Sequence, residues 1–127
     1  NKLEAFHQSH PGVPVDSIWI LDHGNDENGQ VFGGTPLFYE RPKPYAYPAM
    51  LSVMKRIGKV TQEVWFGGCD VGEAKGFLHL FADTSGAKVH ANDYSMYYYN
   101  DGSWGAGKWY QRMFSGGWNH YYPNSKR

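Results

Sequence analysis

Two places in the chain set reactive side chains at the ends of apolar runs. Trp19-Ile20-Leu21-Asp22-His23-Gly24 ends in an imidazole, and Val64-Trp65-Phe66-Gly67-Gly68-Cys69 ends in the only thiol of the chain. A thiol is poorly ionised near neutrality, and an imidazole within reach can take its proton. The pair is therefore the minimum apparatus for nucleophilic attack on a carbonyl, with Cys69 as nucleophile and His23 as general base. Gly24 N–H and the amide of Cys69 are candidate donors to the tetrahedral oxyanion, each such donor contributing on the order of 3 kcal/mol of transition-state stabilisation. Glycines flank both residues because a substrate backbone must approach closely and the chain must turn sharply off each strand. A helix starting just after Cys69 would lend a positive potential that lowers the thiol pKa, and the neighbouring Asp70 would oppose it.

That chemistry requires elements that bring positions 23 and 69 together. Ser17 to Asp22, apolar and rich in β-branched and aromatic residues, predicts a strand covered on both faces. Glu63-Val64-Trp65-Phe66 predicts a second strand and Ala87 to Ala91 a third. Pro48 opens, and Gly58 closes, a helix whose Met50, Leu51, Met54 and Ile57 recur at helical spacing. Val71, Ala74, Leu78, Phe81 and Ala82 predict another helix, ending near Ser85-Gly86. Strand, helix, strand is the βαβ unit of a parallel sheet, whose strands all open their carboxyl ends on one edge, where such sheets place binding crevices. His23 and Cys69 are therefore expected on the same rim. Residues 1 to 14 read as a short helix closed by Pro11, Gly12 and Pro14. Residues 25 to 47, punctuated by Gly and Pro, read as a long excursion outside the core, with Val31-Phe32 and Leu37-Phe38-Tyr39 as short strands. Beyond Asn92, aromatics interleave with Gly and Asn in an irregular cap or hairpin.

Composition narrows the classes. A length of 127 residues fits one domain, 1–127, divided here into a core over 1–93 and an aromatic-rich extension over 94–127. Twelve Lys plus Arg balance twelve Asp plus Glu, so total charge argues against a nucleic-acid partner. No run approaches the roughly 20 apolar residues of a membrane span, and no membrane partner is expected. One cysteine excludes an internal disulfide and a multi-Cys zinc cluster, and the Asp26-Glu27-Asn28 turn lacks a calcium-loop pattern, so no metal and no cofactor are expected. The first residue is Asn1 rather than Met, which reads as a piece of a longer polypeptide and leaves its location open. The 7 Phe, 5 Trp and 10 Tyr, half of them after residue 93, supply the area a small core needs.

The order of these motifs resembles the caspase-like cysteine peptidases, in which an apolar strand ends in His-Gly and a later one in Gly-Cys. The separation from position 23 to position 69 is 46, near the roughly 50 residues between the caspase His and Cys. Cys69-Asp70-Val71-Gly72 and Thr84-Ser85-Gly86-Ala87 further resemble a bacterial relative of that fold found in large secreted or surface proteins. The resemblance covers about Leu3 to Asp93. It implies a small three-layer α/β sandwich with a mainly parallel sheet, truncated before the His strand, since only 22 residues precede His23. It also implies a His23–Cys69 dyad, an oxyanion site at Gly24 and a primary specificity pocket bordered by His90 to Asp93. A peptide or protein substrate follows, as does an immunity or inhibitor protein if the chain is a secreted toxin or self-processing domain. The caspase Gln-Ala-Cys sequence is absent, so cleavage after Asp does not carry over.

Three plainer readings stand beside this one. A lone Cys is commonly a small buried hydrophobe, and His90 an ordinary strand residue. His7, His10 and His79 read as surface residues, and His120, like His90, is open between an ordinary strand residue and a pocket lining. The same nucleophile could act on another acyl compound, such as a glutamine side-chain amide or a cell-wall peptide. Finally, an inactive binding module could recognise a carbohydrate or a protein through its Trp and Tyr side chains.

Overall fold

The structure, a computed structural model, describes residues 2–13, 15–106 and 117–124. In chain order the elements are α1 (Lys2–Ser9), β1 (Ile18–Ile20), β2 (Gly24–Asn25), β3 (Gly29–Gln30), β4 (Phe38–Tyr39), β5 (Tyr45–Ala46), α2 (Pro48–Gly58) and β6 (Glu63–Phe66). A single 3₁₀ turn (Val71–Glu73), α3 (Lys75–Ser85), β7 (Lys88–Asn92), β8 (Met96–Tyr98), β9 (Trp104–Ala106) and β10 (Trp118–Tyr121) follow. The central sheet has the order β1-β6-β7-β10, parallel except for β10, which runs antiparallel to β7. The fold is therefore α/β with a mixed sheet, and three two-stranded ribbons accompany it.

The strand order explains where the helices lie. The β1-α2-β6 and β6-α3-β7 crossovers both step in the same direction, and crossovers of one hand stepping one way put their helices on the same face. Val64, Phe66, Val89 and Ala91 on that face are fully buried with Met50 and Met54 of α2 and Phe77, Leu78, Phe81 and Ala82 of α3. Gly58 and Ser85 abut where the two helices end, so closely that a β-carbon at 58 would strike the Ser85 carbonyl. Each of the buried Val, Leu, Phe and Met side chains stabilises the fold by roughly 1.5–3 kcal/mol. The expected three layers are thus two among the described residues.

The opposite face carries a ladder of rings. The register aligns Trp19, Trp65, His90 and His120 across the four strands. Trp19 stacks on Trp65 at 5.0 Å between ring centres, and Trp65 stacks on His90 at 3.8 Å. Trp118 meets Trp19 and Trp65 edge-on, and Trp104 of the β8–β9 hairpin leans on Trp19 and Trp118. Trp19 keeps 41 % of its surface exposed, which corrects the expectation that β1 is covered on both faces. Its run is apolar throughout because one side meets helices and the other meets indoles.

Other departures have local causes. The helix predicted from Val71 onward breaks at Ala74 (φ −86°, ψ 72°) into a 3₁₀ turn and α3, which ends at Gly86 with φ 75°. The segment 25–47 is not an outer excursion alone: it sends Phe38 and Gln30 into the interior, both fully buried. Its first ribbon pairs Gly24 with Gln30, and Val31-Phe32 is no strand. The sheet does not end at residue 93, because β10 closes it. The other aromatics expected in the cap, Trp109, Tyr110 and Phe114, lie outside the described residues.

Candidate active site

Because β1 and β6 are parallel neighbours with Ile20 opposite Phe66, their chains leave the sheet side by side. Gly67 N–H donates to the Ile20 carbonyl at 2.8 Å, extending the ladder one step beyond the strands. The turns that follow pack through bare backbone. A β-carbon on Gly24 would stand 3.1 Å from Gly68 Cα and 2.5 Å from a Val71 methyl, and one on Gly68 would stand 3.0 Å from the Gly24 nitrogen. Glycine at both positions is a requirement of this approach. His23 and Cys69 line one open cavity of about 440 Å³, with Leu21, Asp22 and Gly67 from the two turns and Met96 and Tyr98 from β8.

His23 is exposed, and its main chain is fixed from both sides. Its N–H donates to Asp22 Oδ1 at 2.7 Å, and its carbonyl accepts Val31 N–H at 2.9 Å. Asp22 Oδ2 accepts Gly34 N–H at 3.3 Å. The His23 N–H above all, then the Gly34 and Gly33 amides, hold the Asp22 carboxyl below the usual carboxylate range against an opposing desolvation. An ionised carboxylate therefore anchors the His23 main chain.

The Cys69 sulfur is half-buried against the Met96 peptide. Met96 N–H donates to Sγ at 3.3 Å, and the Met96 carbonyl lies 3.8 Å from Sγ, within reach of an S–H donor. One peptide thus offers the sulfur both a donor and an acceptor. Tyr98 OH donates to the Gly67 carbonyl at 2.7 Å. Burial first, then the neighbouring Cys69 charge, raises the Tyr98 phenol above its ordinary value. After the cysteine, Asp70 adopts the left-handed region (φ 58°), and its N–H donates to the Tyr94 carbonyl at 3.2 Å. Desolvation, then the charges of Asp26 and Asp93, raise the Asp70 carboxyl.

The helix expected to begin beside the thiol does not. The first amides of α3 are satisfied elsewhere: Glu40, reaching over from the β4–β5 ribbon, accepts Gly76 N–H at 2.8 Å and Phe77 N–H at 3.2 Å. The positive helix end is engaged by that carboxylate, and the group that meets the sulfur is the Met96 amide.

His90 and Asp93, expected to border a pocket, do not line the cavity of His23 and Cys69. His90 sits mid-strand on the ring ladder, 2 % exposed, because the alternation of β7 turns it toward Trp65 rather than toward the rim. Its Nδ1 lies 2.6 Å from His120 Nδ1, and its Nε2 lies 3.7 Å from Glu63 Oε2. Asp93 accepts Asn119 Nδ2–H at 2.7 Å and crowds Gly72, where a β-carbon would stand 2.5 Å from its Oδ1. It reaches the Cys69 turn only through its charge on Asp70. His79 is exposed and meets Tyr121 edge-on.

Sequence reading missed Gln30, Met96 and Tyr98. Gln30 could have been noticed as a long polar side chain in the otherwise small and apolar Gly29-Gln30-Val31-Phe32. Met96 acts through its main chain, for which side-chain type carries no signal. A second cavity of about 430 Å³ runs along the outer edge of β1 against α1 and α2, with apolar walls and the Glu4–Arg56 ion pair, and holds neither His23 nor Cys69. No helix of the described residues is long and apolar enough to cross a membrane. No family model, curated protein or solved structure matches the chain.

Proposed function

We propose that the protein is a cysteine hydrolase of the caspase-like kind, acting on a peptide or protein amide by acyl transfer. The observation that carries this reading is one open cavity lined by both His23 and Cys69, with the sulfur on the Met96 N–H. His23 takes the thiol proton, and Sγ attacks the carbonyl carbon to form the C–S bond. The oxyanion accepts hydrogen bonds from the Gly24 and Cys69 amides. His23 then gives its proton to the departing nitrogen as the C–N bond breaks. Water, deprotonated by His23, cleaves the thioester and releases the acid and the free thiol. Asp22 holds the His23 main chain through its N–H at 2.7 Å. A secreted toxin or self-processing domain is the setting that the resemblance suggests.

Profiling against a peptide library tests the reading. Cys69→Ala and His23→Ala are each expected to reduce hydrolysis to background while far-UV circular dichroism stays native, and iodoacetamide is expected to label Cys69 faster than a free thiol. Full hydrolysis by Cys69→Ala would overturn it. Weight would then pass to a binding module using the ring face, where Trp104 keeps 46 % and Trp19 41 % of their surfaces exposed.

A further inference from the structure

Gln30 takes no part in the steps above, yet its side chain lies between the two turns that perform them. It is 0 % exposed. Its Nε2 donates to the His23 carbonyl at 3.2 Å and to the Val31 carbonyl at 3.1 Å. Its Oε1 accepts Gly68 N–H at 2.8 Å. One partner is the main chain of the base itself, and another is the residue before the nucleophile. Burying an amide is unfavourable unless its donors and acceptor are met, and here all are met by groups of the site.

From this we infer that Gln30 is the positioning residue of the dyad, setting the separation of His23 from Cys69 by clamping one main-chain carbonyl and one main-chain amide. The position requires two donors and one acceptor on a neutral planar group, with a stem long enough to span from β3 to the Cys69 turn. The Gln amide supplies that set, whereas an ionised Glu offers acceptors only and would face two carbonyl oxygens. The inference rests on the Cys–His reading, and alkylation of Cys69 tests it without any substrate.

In the unsubstituted protein, His23→Ala is expected to slow alkylation of Cys69 at pH 7, because the imidazole no longer draws the thiol proton. In a Gln30→Leu background the same His23→Ala change is expected to alter the rate less than twofold, because the imidazole is already out of reach. A displacement near 1 Å corresponds to a loss of about 100-fold in kcat, with KM changed far less. Gln30→Glu adds a signature that a merely structural role would not give. Its carboxyl regains a donor when protonated, so its alkylation rate relative to the unsubstituted protein should recover as pH falls.

Should both variants fail to fold, hydrogen exchange in the unsubstituted protein decides. The Gly68 amide is expected to exchange at least 100-fold more slowly than an open amide, and free exchange would overturn the clamp. An undiminished His23 effect in folded Gln30→Leu would overturn the positioning role and leave the dyad standing. A His23→Ala change without effect in the unsubstituted protein would instead remove the dyad.

Discussion

Replacing Gly68 by Ala tests the approach of the two turns that carry His23 and Cys69. The new methyl would stand 2.8 Å from Gln30 Oε1, 2.9 Å from Gly24 Cα and 3.0 Å from Gly24 N. Carbon atoms not bonded to each other rest at roughly 3.5–4.0 Å, so the turn after β1 must retreat by about 0.6–1 Å. Two of the three neighbours are backbone, and the third is a fully buried amide with its hydrogen bonds committed, so no rotamer relieves the overlap. Overpacking of this kind costs about 1–3 kcal/mol, and a Gly68 N–H left buried without its acceptor costs about 1–3 kcal/mol. Both describe one displacement, so a total near 2–3 kcal/mol is expected. Against a usual stability of about 5–15 kcal/mol, the variant still folds. Its midpoint in urea should fall accordingly, while alkylation of Cys69 at pH 7 slows toward the rate of a free thiol. Gly12→Ala, whose methyl meets nothing within 4 Å, is the neutral control. A Gly68→Ala protein with the parent's urea midpoint and alkylation rate would refute the argument that the two turns touch.

The remaining predictions concern the supports of the site. Glu40→Ala removes the acceptor of the first α3 amides and should lower stability by about 1 kcal/mol in calorimetry, with Glu40→Gln intermediate, because one neutral oxygen remains. Burial holds the His90 imidazole below the ordinary His range; the His120 and Lys88 charges act in the same sense, and Glu63 opposes them. The folded state therefore favours neutral His90. Its contribution is complete above about pH 6.5 and is lost as pH falls through the lowered value. Urea midpoints should drop between pH 7 and pH 5, and His90→Leu should shrink that drop; equal slopes in both proteins would refute the assignment.

What was legible in the sequence followed one-dimensional signals. Pro48 and Gly58 bracketed α2, the apolar runs gave β1, β6 and β7, and the order of His-Gly and Gly-Cys put positions 23 and 69 on one rim. What was not legible depended on partners distant in the chain. Glu40 serves a helix that starts 35 positions later, so no local pattern revealed that the α3 amides were occupied. Met96 offers the sulfur a main-chain N–H, which every residue but proline possesses. The resemblance puts His90, at the end of the third strand, by the specificity pocket, but strand parity, set by the pairing of Trp65 with His90, turns it into the ring ladder. The single-sided helix layer likewise came from strand order, which local periodicity cannot encode.

The one-sided sheet divides the protein optically. Four of its five tryptophans, Trp19, Trp65, Trp104 and Trp118, form one contiguous group on the face that carries no helix among the described residues. The phenylalanines Phe66, Phe77 and Phe81 fill the other side, against α2 and α3. Emission from these four indoles therefore reports the environment of one surface, while the amide signal of α2 and α3 arises on the other. Each side carries its own intrinsic chromophore, and events on the two can be timed separately without a label.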